Sequence, residues 1–184
     1  MVSGIVTIRT RRDYFPFLAE QMVRNYVPGK RILYLHWVDY HKRYWTLDYD
    51  MIFRLAKKNH VDEGIADAIY FVRAFSKDNN RVAENWRRIL EFDKVNLAIL
   101  DSVSELYEKS DGSMTYAIGK FVQFCVRQRC SGLIIDRGKR IHNYLAHASS
   151  VILELGDEIT LLKHPMRARM RVPRDGQYRL VEWF

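Results

Sequence analysis

The sequence is poor in the residues that define cross-linked, repetitive or membrane-spanning chains. It holds 9 Gly, 4 Pro and 2 Cys among 184 residues, which excludes collagen-like repeats, low-complexity tracts and a disulfide framework. No apolar run reaches the ~18 residues that a membrane span needs, so no membrane partner is expected. The first residues also lack an apolar stretch of signal-peptide length. These absences predict a cytoplasmic protein.

What the chain does contain is apolar and basic. Hydrophobic residues make up 48% and aromatic residues 13%, and 30 Lys and Arg stand against 22 Asp and Glu, a formal charge of +8. This composition excludes disorder and predicts one globular domain over residues 1–184. The charge permits a nucleic-acid partner without requiring one.

Strand and helix patterns alternate through most of the chain. Continuous apolar runs predict strands covered on both faces, whereas apolar residues three or four apart predict helices. The runs predict strands at 5–8, 32–35, 69–72, 97–100 and 133–135, and the helical spacing predicts helices at 14–26, 48–59, 81–92 and from 114 onward. After residue 150, short runs at 151–155, 159–163, 168–172 and 178–182 alternate with turn signals and predict antiparallel hairpins. The expected fold is therefore an α/β sandwich with a mostly parallel sheet and a C-terminal antiparallel extension.

The connection after the first strand lacks the glycines of a phosphate-binding loop. Its sequence is TRRDYF, with no Gly-Lys-Ser/Thr, and Tyr14 and Phe15 would fill the space that phosphate needs. Arg9, Arg11 and Arg12 either attract an anion there or form a solvated basic turn.

The connection after the second strand interleaves aromatic and basic residues. Rings stack on exposed bases and cations follow phosphates, so this loop suits single-stranded nucleic acid. Its alternative role is packing on the domain surface or on a partner protein. His36, Asp39 and His41 lack a tight metal-binding motif, and no metal site is predicted. The candidate DNA-binding residues of this loop are Trp37, Tyr40, Lys42, Arg43, Tyr44 and Trp45.

Later in the chain, arginines alternate with apolar residues. In a strand, Arg167, Arg169 and Arg171 would line one face, which predicts either a solvated face or an anion-binding one. Lys139 and Arg140 would join this region if their strands are adjacent. The two cysteines, Cys125 and Cys130, are expected on one helix about 140° apart, as core or half-buried thiols.

Asp101 and Ser102 close the strand at 97–100. An acidic residue at this position holds Mg²⁺ through water in nucleotide-hydrolysing sites, although a strand-terminal Asp also serves as a turn cap.

The order of these segments resembles the ATPase core of the RecA/RadA recombinase family, closest to its archaeal and eukaryotic branch. The similar segments are RILYLHWVDYH, the strand in IYFVRAF, LAILDSVSELY, GLIIDRG, NYLAHASSVILEL, and ITLLKHP followed by ARMRV. They occur in the family's order over most of residues 5–175. The resemblance implies a RecA-like three-layer sandwich, in which Asp101 and Ser102 match a degenerate metal-binding strand end.

The departures from the family pattern concern its active site. RTRRDYFPF replaces the phosphate-binding loop, Asp39 is a displaced candidate for the catalytic carboxylate, and Asp136-Arg137 stands at the sensor position. Both DNA-binding loops of the family look shortened, to EKSDGSM and RGKRIHN. Since phosphate-loop donors supply much of the charge stabilisation in phosphoryl transfer, the resemblance implies no ATPase activity and no ATP or magnesium cofactor.

The expected function is that of a non-catalytic recombinase paralog. It would act in homologous recombination or DNA repair by binding DNA, single-stranded DNA above all, a RadA-type recombinase or another paralog. The alternatives are a protein-interaction module of the same fold that does not bind DNA, and an ATPase with an atypical nucleotide site.

Overall fold

The computed structural model describes residues 4–11, 13–36, 48–75, 79–101, 103, 111–138, 141–167 and 169–172. Strands and helices alternate along the chain as the sequence predicts. The strands are β1 (Ile5–Thr10), β2 (Arg31–His36), β3 (Ile69–Arg73), β4 (Val95–Leu100), β5 (Ser131–Asp136), β6 (Val151–Leu155), β7 (Ile159–Lys163) and β8 (Met170–Val172). The helices are α1 (Phe15–Arg24), α2 (Tyr49–Lys58), α3 (Ile65–Ala68), α4 (Asn79–Ile89), α5 (Asp111–Gln128) and α6 (Asn143–Ala148).

The eight strands of the described residues form one sheet in the order β3-β2-β4-β5-β1-β6-β7-β8. The first six strands in this order run parallel, and β7 and β8 continue the sheet as an antiparallel meander beside β6. The predicted mixed sheet, with its antiparallel C-terminal extension, is therefore confirmed.

Helices cover both faces of the sheet. On one face, Leu18 and Met22 of α1 and Ile52 of α2 pack against the strands, and each is fully buried. On the other face, Trp86 of α4 and Phe121 of α5 form the second core. The molecule is thus a three-layer α/β arrangement with two cores. Among the described helices, none combines the length and the apolar character needed to cross a bilayer.

The C-terminus of α5 corrects the prediction for the two cysteines. The helix ends at Gln128, Arg129 adopts a positive φ of 52°, and Cys130 N donates to Cys125 O at 3.1 Å. This hydrogen bond, with that of Arg129 N to Val126 O, is a Schellman motif, which turns the chain back on the helix. Both thiols are buried, as predicted, but they lie side by side instead of 140° apart. Burial, with a hydrogen bond to Cys130, raises the pKa of the Cys125 thiol well above its usual value.

Replacing Arg129 by glycine is expected to stabilise the protein. An L-residue pays about 1–2 kcal/mol in the left-handed region, and the greater freedom of glycine in the unfolded chain offsets roughly half of that gain. We expect the free energy of unfolding to rise by about 0.5–1 kcal/mol in urea titrations. Arg127→Gly, in the last turn of the same helix, is the matched control and should lower it by a similar amount. A loss of stability in Arg129→Gly would contradict the expectation.

The strand predicted at 168–172 is shorter in the structure. β7 ends at Lys163 and β8 begins at Met170, opposite Leu161, after a turn that includes the described residues 164–167 and 169. In this turn Met166 N donates to His164 Nδ1 at 2.9 Å. Arg167 and Arg169 therefore precede the strand, and a strict alternation of three arginines along one strand face is wrong. The run at 178–182 lies outside the described residues.

Candidate functional site

The six parallel strands of the described part of the chain end at the same edge of the sheet. β1, β2 and β5 end at Thr10, His36 and Asp136, and Asp101 follows β4 directly. Asp101 N donates to Leu35 O at 2.8 Å, which ties the end of β4 to β2. Because polar side chains at such an edge come from distant parts of the chain, this is where a site can be assembled.

Asp101 lies at the centre of a buried polar cluster with two tyrosines. The Tyr14 hydroxyl donates to both carboxylate oxygens of Asp101, at 2.8 Å to Oδ1 and 3.0 Å to Oδ2. The Tyr34 hydroxyl donates to Oδ2. Exposure is 1% for Tyr14 and 5% for each of the other two residues. A buried carboxylate needs such donors, since an uncompensated charge in the interior is costly.

The short connection between β1 and α1 places Tyr14 in this cluster. Asp13 Oδ1 accepts from Phe15 N at 3.0 Å, and Leu18 N donates to Tyr14 O at 3.0 Å, so the helix starts immediately after Tyr14. Tyr14 is the N-cap residue of α1, Asp13 precedes it, and Pro16 lies in the first turn. With no glycine in the connection, the ring of Tyr14 fills the space between β1 and Asp101.

Burial keeps the Tyr34 hydroxyl protonated. Desolvation raises the pKa of Tyr34 well above its usual value, and the neighbouring Asp101 carboxylate and Tyr14 hydroxyl raise it further. The hydroxyl therefore remains a hydrogen-bond donor to Asp101 through the neutral range. The carboxylate oxygens of Asp101 thus already accept hydrogen bonds from the two tyrosine hydroxyls.

The sensor-position pair also makes contacts within the fold. Asp136 is fully buried at the end of β5, and its Oδ1 accepts from Gly138 N at 3.0 Å. The guanidinium carbon of Arg137 lies 5.9 Å from the ring centroid of Tyr14, a cation–π contact. The Asp136 carboxylate thus caps the turn, and Arg137 covers the tyrosine cluster from outside.

His36 belongs to the aromatic packing beside the cluster. Its ring lies 5.7 Å from that of Phe71, edge-on, and 6.5 Å from that of Tyr34. Burial, with the nearby Arg73, lowers the pKa of His36. Among the described residues, no group of three His, Cys, Asp or Glu side chains could hold a metal ion.

Most of the predicted DNA-binding residues lie outside the described part of the chain. Of those described, Arg11 is exposed beyond β1, and Arg9 forms an ion pair with Glu154 of β6 at 3.3 Å. That pair offsets the charge of Arg9. The side chain of Arg171 is not described, although its backbone pairs with Thr160. Outside the described residues lie Arg12, Trp37, Tyr40, Lys42, Arg43, Tyr44, Trp45, Ser102, Lys139 and Arg140.

The topology separates the arginines near β8 from the strand ends. β7 is antiparallel to β6, and Lys163 at its end lies opposite Ile152 at the start of β6. Arg167 and Arg169 therefore lie at the opposite edge of the sheet from Thr10, His36 and Asp136. β5 and β8 are also separated by three strands. The condition under which Lys139 and Arg140 would join the Arg167 region, adjacent strands, is therefore not met, and both residues lie outside the described part of the chain.

Tyr34 is the site residue that the sequence prediction missed. It lies in the continuous apolar run of β2, where a tyrosine is expected to be a core residue like its neighbours. Its hydroxyl could have indicated the site, because a tyrosine in a strand covered on both faces requires a buried hydrogen-bond acceptor.

No protein-family model matches this chain, and no curated protein matches it. The resemblance to the RecA/RadA family therefore stays a prediction from the sequence segments.

Proposed function

We propose that the protein is a RecA-like recombinase paralog that does not hydrolyse ATP and acts in homologous recombination or DNA repair. It would bind DNA, with single strands favoured, and a RadA-type recombinase or another paralog. The observation that carries DNA binding is that three cation-bearing connections start from one edge of the sheet.

The charge at this edge follows from strand direction. β1, β2 and β5 run parallel and end together. The segments that follow them, 11–12, 37–45 and 137–140, hold seven Lys or Arg and one carboxylate, that of Asp39. The aromatic residues of the second segment supply stacking surfaces for bases. These three connections therefore combine, in their sequence, the cations and the aromatic rings that binding of single-stranded DNA requires.

The contacts of Tyr14 support the absence of ATP hydrolysis. A phosphate-binding loop would have to occupy the connection between β1 and α1, where the buried ring of Tyr14 lies. Asp101, which would hold magnesium through water, accepts hydrogen bonds from Tyr14 and Tyr34 instead. These residues do not fit a nucleotide with its metal ion. Binding of a fluorescent ATP analogue that is lost in Asp101→Ala would favour the atypical ATPase instead.

DNA binding is tested by its salt dependence. If about four phosphates are neutralised, a single-strand slope of roughly −0.7 per phosphate makes the affinity fall about 100-fold between 50 and 300 mM salt. We expect Arg11→Gln with Arg12→Gln to reduce the slope of log affinity on log salt by about 1.4. Fluorescence anisotropy with labelled single-stranded DNA measures both effects.

The matched control changes Lys57 and Lys58 to Gln. These exposed lysines end α2, at the far end of that helix from the strand edge, so the slope should stay at the wild-type value. Equal affinities at 50 and 300 mM salt, or equal slopes for the two double variants, would contradict DNA binding at this edge.

The second candidate function, a protein-interaction module that does not bind DNA, is favoured by β3. Among the described strands β3 is an edge strand of the sheet, and its Tyr70 and Phe71 are 38% and 40% exposed. An edge strand with exposed aromatic rings suits addition of a strand from a partner. Pull-down of a cognate recombinase without any shift of DNA in a gel would support this function over the first.

A further inference from the structure

The turn between β7 and β8 presents Met166 to solvent. Its exposure is 88%, whereas the next most exposed large apolar side chain in the described part of the chain, Val126, is at 58%. Exposed apolar residues are common singly, and most lie partly against their neighbours. Met166 is distinguished by its position at the tip of a hairpin.

The sequence around this methionine is basic. Residues 159–174 contain five Lys or Arg and no Asp or Glu. Arg167 and Arg169, on either side of residue 168, are both exposed. An apolar side chain flanked by positively charged residues is complementary to a polyanion that also has an apolar surface to bind. Duplex DNA has both, in its phosphates and its stacked bases.

The base of the hairpin is anchored to the fold. Lys163 Nζ donates to Ala146 O at 2.5 Å and to Ser149 O at 2.6 Å, at the end of α6. Within the turn, the hydrogen bond from Met166 N to His164 Nδ1 and the ring of Pro165 restrict the backbone. These contacts restrict the backbone next to Met166, which lowers the ordering cost of binding.

We propose, on the basis of the DNA binding proposed above, that this turn is a duplex-DNA contact in which Met166 inserts between base pairs. Arg167 and Arg169 contact the phosphates on either side. Met is one of the side chains that act as apolar wedges, and unstacking one step costs a few kcal/mol, which the phosphate contacts offset. Because the turn lies at the opposite edge from the strand ends, it is a second DNA contact, separate from the single-strand one.

The test uses the full chain and a duplex that carries 2-aminopurine, whose fluorescence rises when it is unstacked. We expect the wild-type protein to raise this fluorescence and to bend an end-labelled duplex, measured by energy transfer. Met166→Ala should lose both signals while the salt slope of binding stays unchanged. Arg167→Gln with Arg169→Gln should reduce the slope by about 1.8, since two duplex phosphates are no longer neutralised. Val126→Ala is the matched control, as it removes another exposed apolar side chain, on α5.

Three results would overturn the insertion of Met166 between base pairs. In the first, the 2-aminopurine fluorescence does not rise with wild-type protein, and in the second, the Met166→Ala variant unstacks DNA like the wild type. In the third, Met166 is needed for binding to phosphatidylserine vesicles and has no effect on DNA. If single-stranded DNA binding depends on Arg11 and Arg12 while the hairpin variants change nothing, this inference fails and the proposed function stands. Absence of all DNA binding would refute both.

Discussion

Replacing Tyr14 by alanine is expected to lower the free energy of unfolding by about 3–5 kcal/mol, the usual cost of deleting a buried aromatic ring. Tyr14 is 1% exposed and packs in the core beneath α1 and α2. Its hydroxyl also donates to the buried carboxylate of Asp101. The loss therefore combines a cavity with a missing donor. Urea denaturation followed by circular dichroism measures it.

Phenylalanine variants separate the two contributions. Tyr14→Phe and Tyr34→Phe each keep the ring and remove one donor to Asp101. We expect each to lower the free energy of unfolding by about 1.5–3 kcal/mol, the usual contribution of a hydrogen bond to a charged group. The double variant should not be additive, because both hydroxyls serve the same carboxylate. Tyr116→Phe, on the exposed face of α5, is the control and should change stability by less than about 0.5 kcal/mol. If all three single variants unfold alike, the hydrogen bonds to Asp101 contribute nothing.

The same cluster has a signature at alkaline pH. The Tyr34 phenol of the unfolded chain loses its proton near pH 10, whereas in the folded protein the pKa of Tyr34 is raised by burial and by Asp101. Above pH 10 the unfolded state thus binds fewer protons, so this contribution to stability is present below pH 10 and is lost as pH rises. Tyr34→Phe should weaken this dependence.

Replacing Gly132 by alanine is expected to destabilise the protein by about 1–3 kcal/mol through overpacking. Gly132 lies in β5 between β1 and β4, under α5. A Cβ at this position would lie 2.5 Å from Ile5 Cδ1, 2.9 Å from Cys125 Sγ and 3.1 Å from Phe121 Cε1. These neighbours are buried and come from two elements, so relieving the clash displaces either α5 or β1. Thermal unfolding should show a midpoint lower by roughly 2–4 °C per kcal/mol at this chain length.

Gly119→Ala is the matched control for Gly132→Ala. A Cβ at Gly119 would meet the Tyr144 hydroxyl at 3.3 Å, the mobile end of one side chain. Since alanine is favoured over glycine within a helix by about 0.5–1 kcal/mol, this variant should be neutral or stabilised. Equal stability of the two alanine variants would show that α5 is not held closely on the sheet at Gly132.

The fold could be predicted largely from local patterns. Asp48 caps α2 by accepting from Met51 N at 2.9 Å, as its position before the helical spacing indicates. The run at 32–35 is buried throughout, as a doubly covered strand requires. Such features depend on neighbours in sequence. The short α3 has too few residues to show a period, and β8 was overestimated because alternation persists into a turn.

The site could be predicted only in part, because its contacts link distant residues. The strand end at Asp101 and the space-filling ring of Tyr14 were both evident in the sequence. The Tyr34 bond to Asp101 joins positions 67 residues apart, and no local pattern specifies that pairing. The separation of the arginines near β8 from those at the ends of the parallel strands likewise depends on strand order and direction, which the composition does not specify.

The central place of β1 has a consequence for the timing of folding. Its neighbours in the sheet are β5 and β6, so Ile5 pairs with Gly132 and Thr7 with Ile152. At a synthesis rate of about 5–20 residues per second, roughly 6–25 s pass between the emergence of β1 and that of its first partner strand. During that interval the backbone groups of an apolar strand have no partner strand, so we expect β1 to be a segment of the nascent chain that is prone to aggregation.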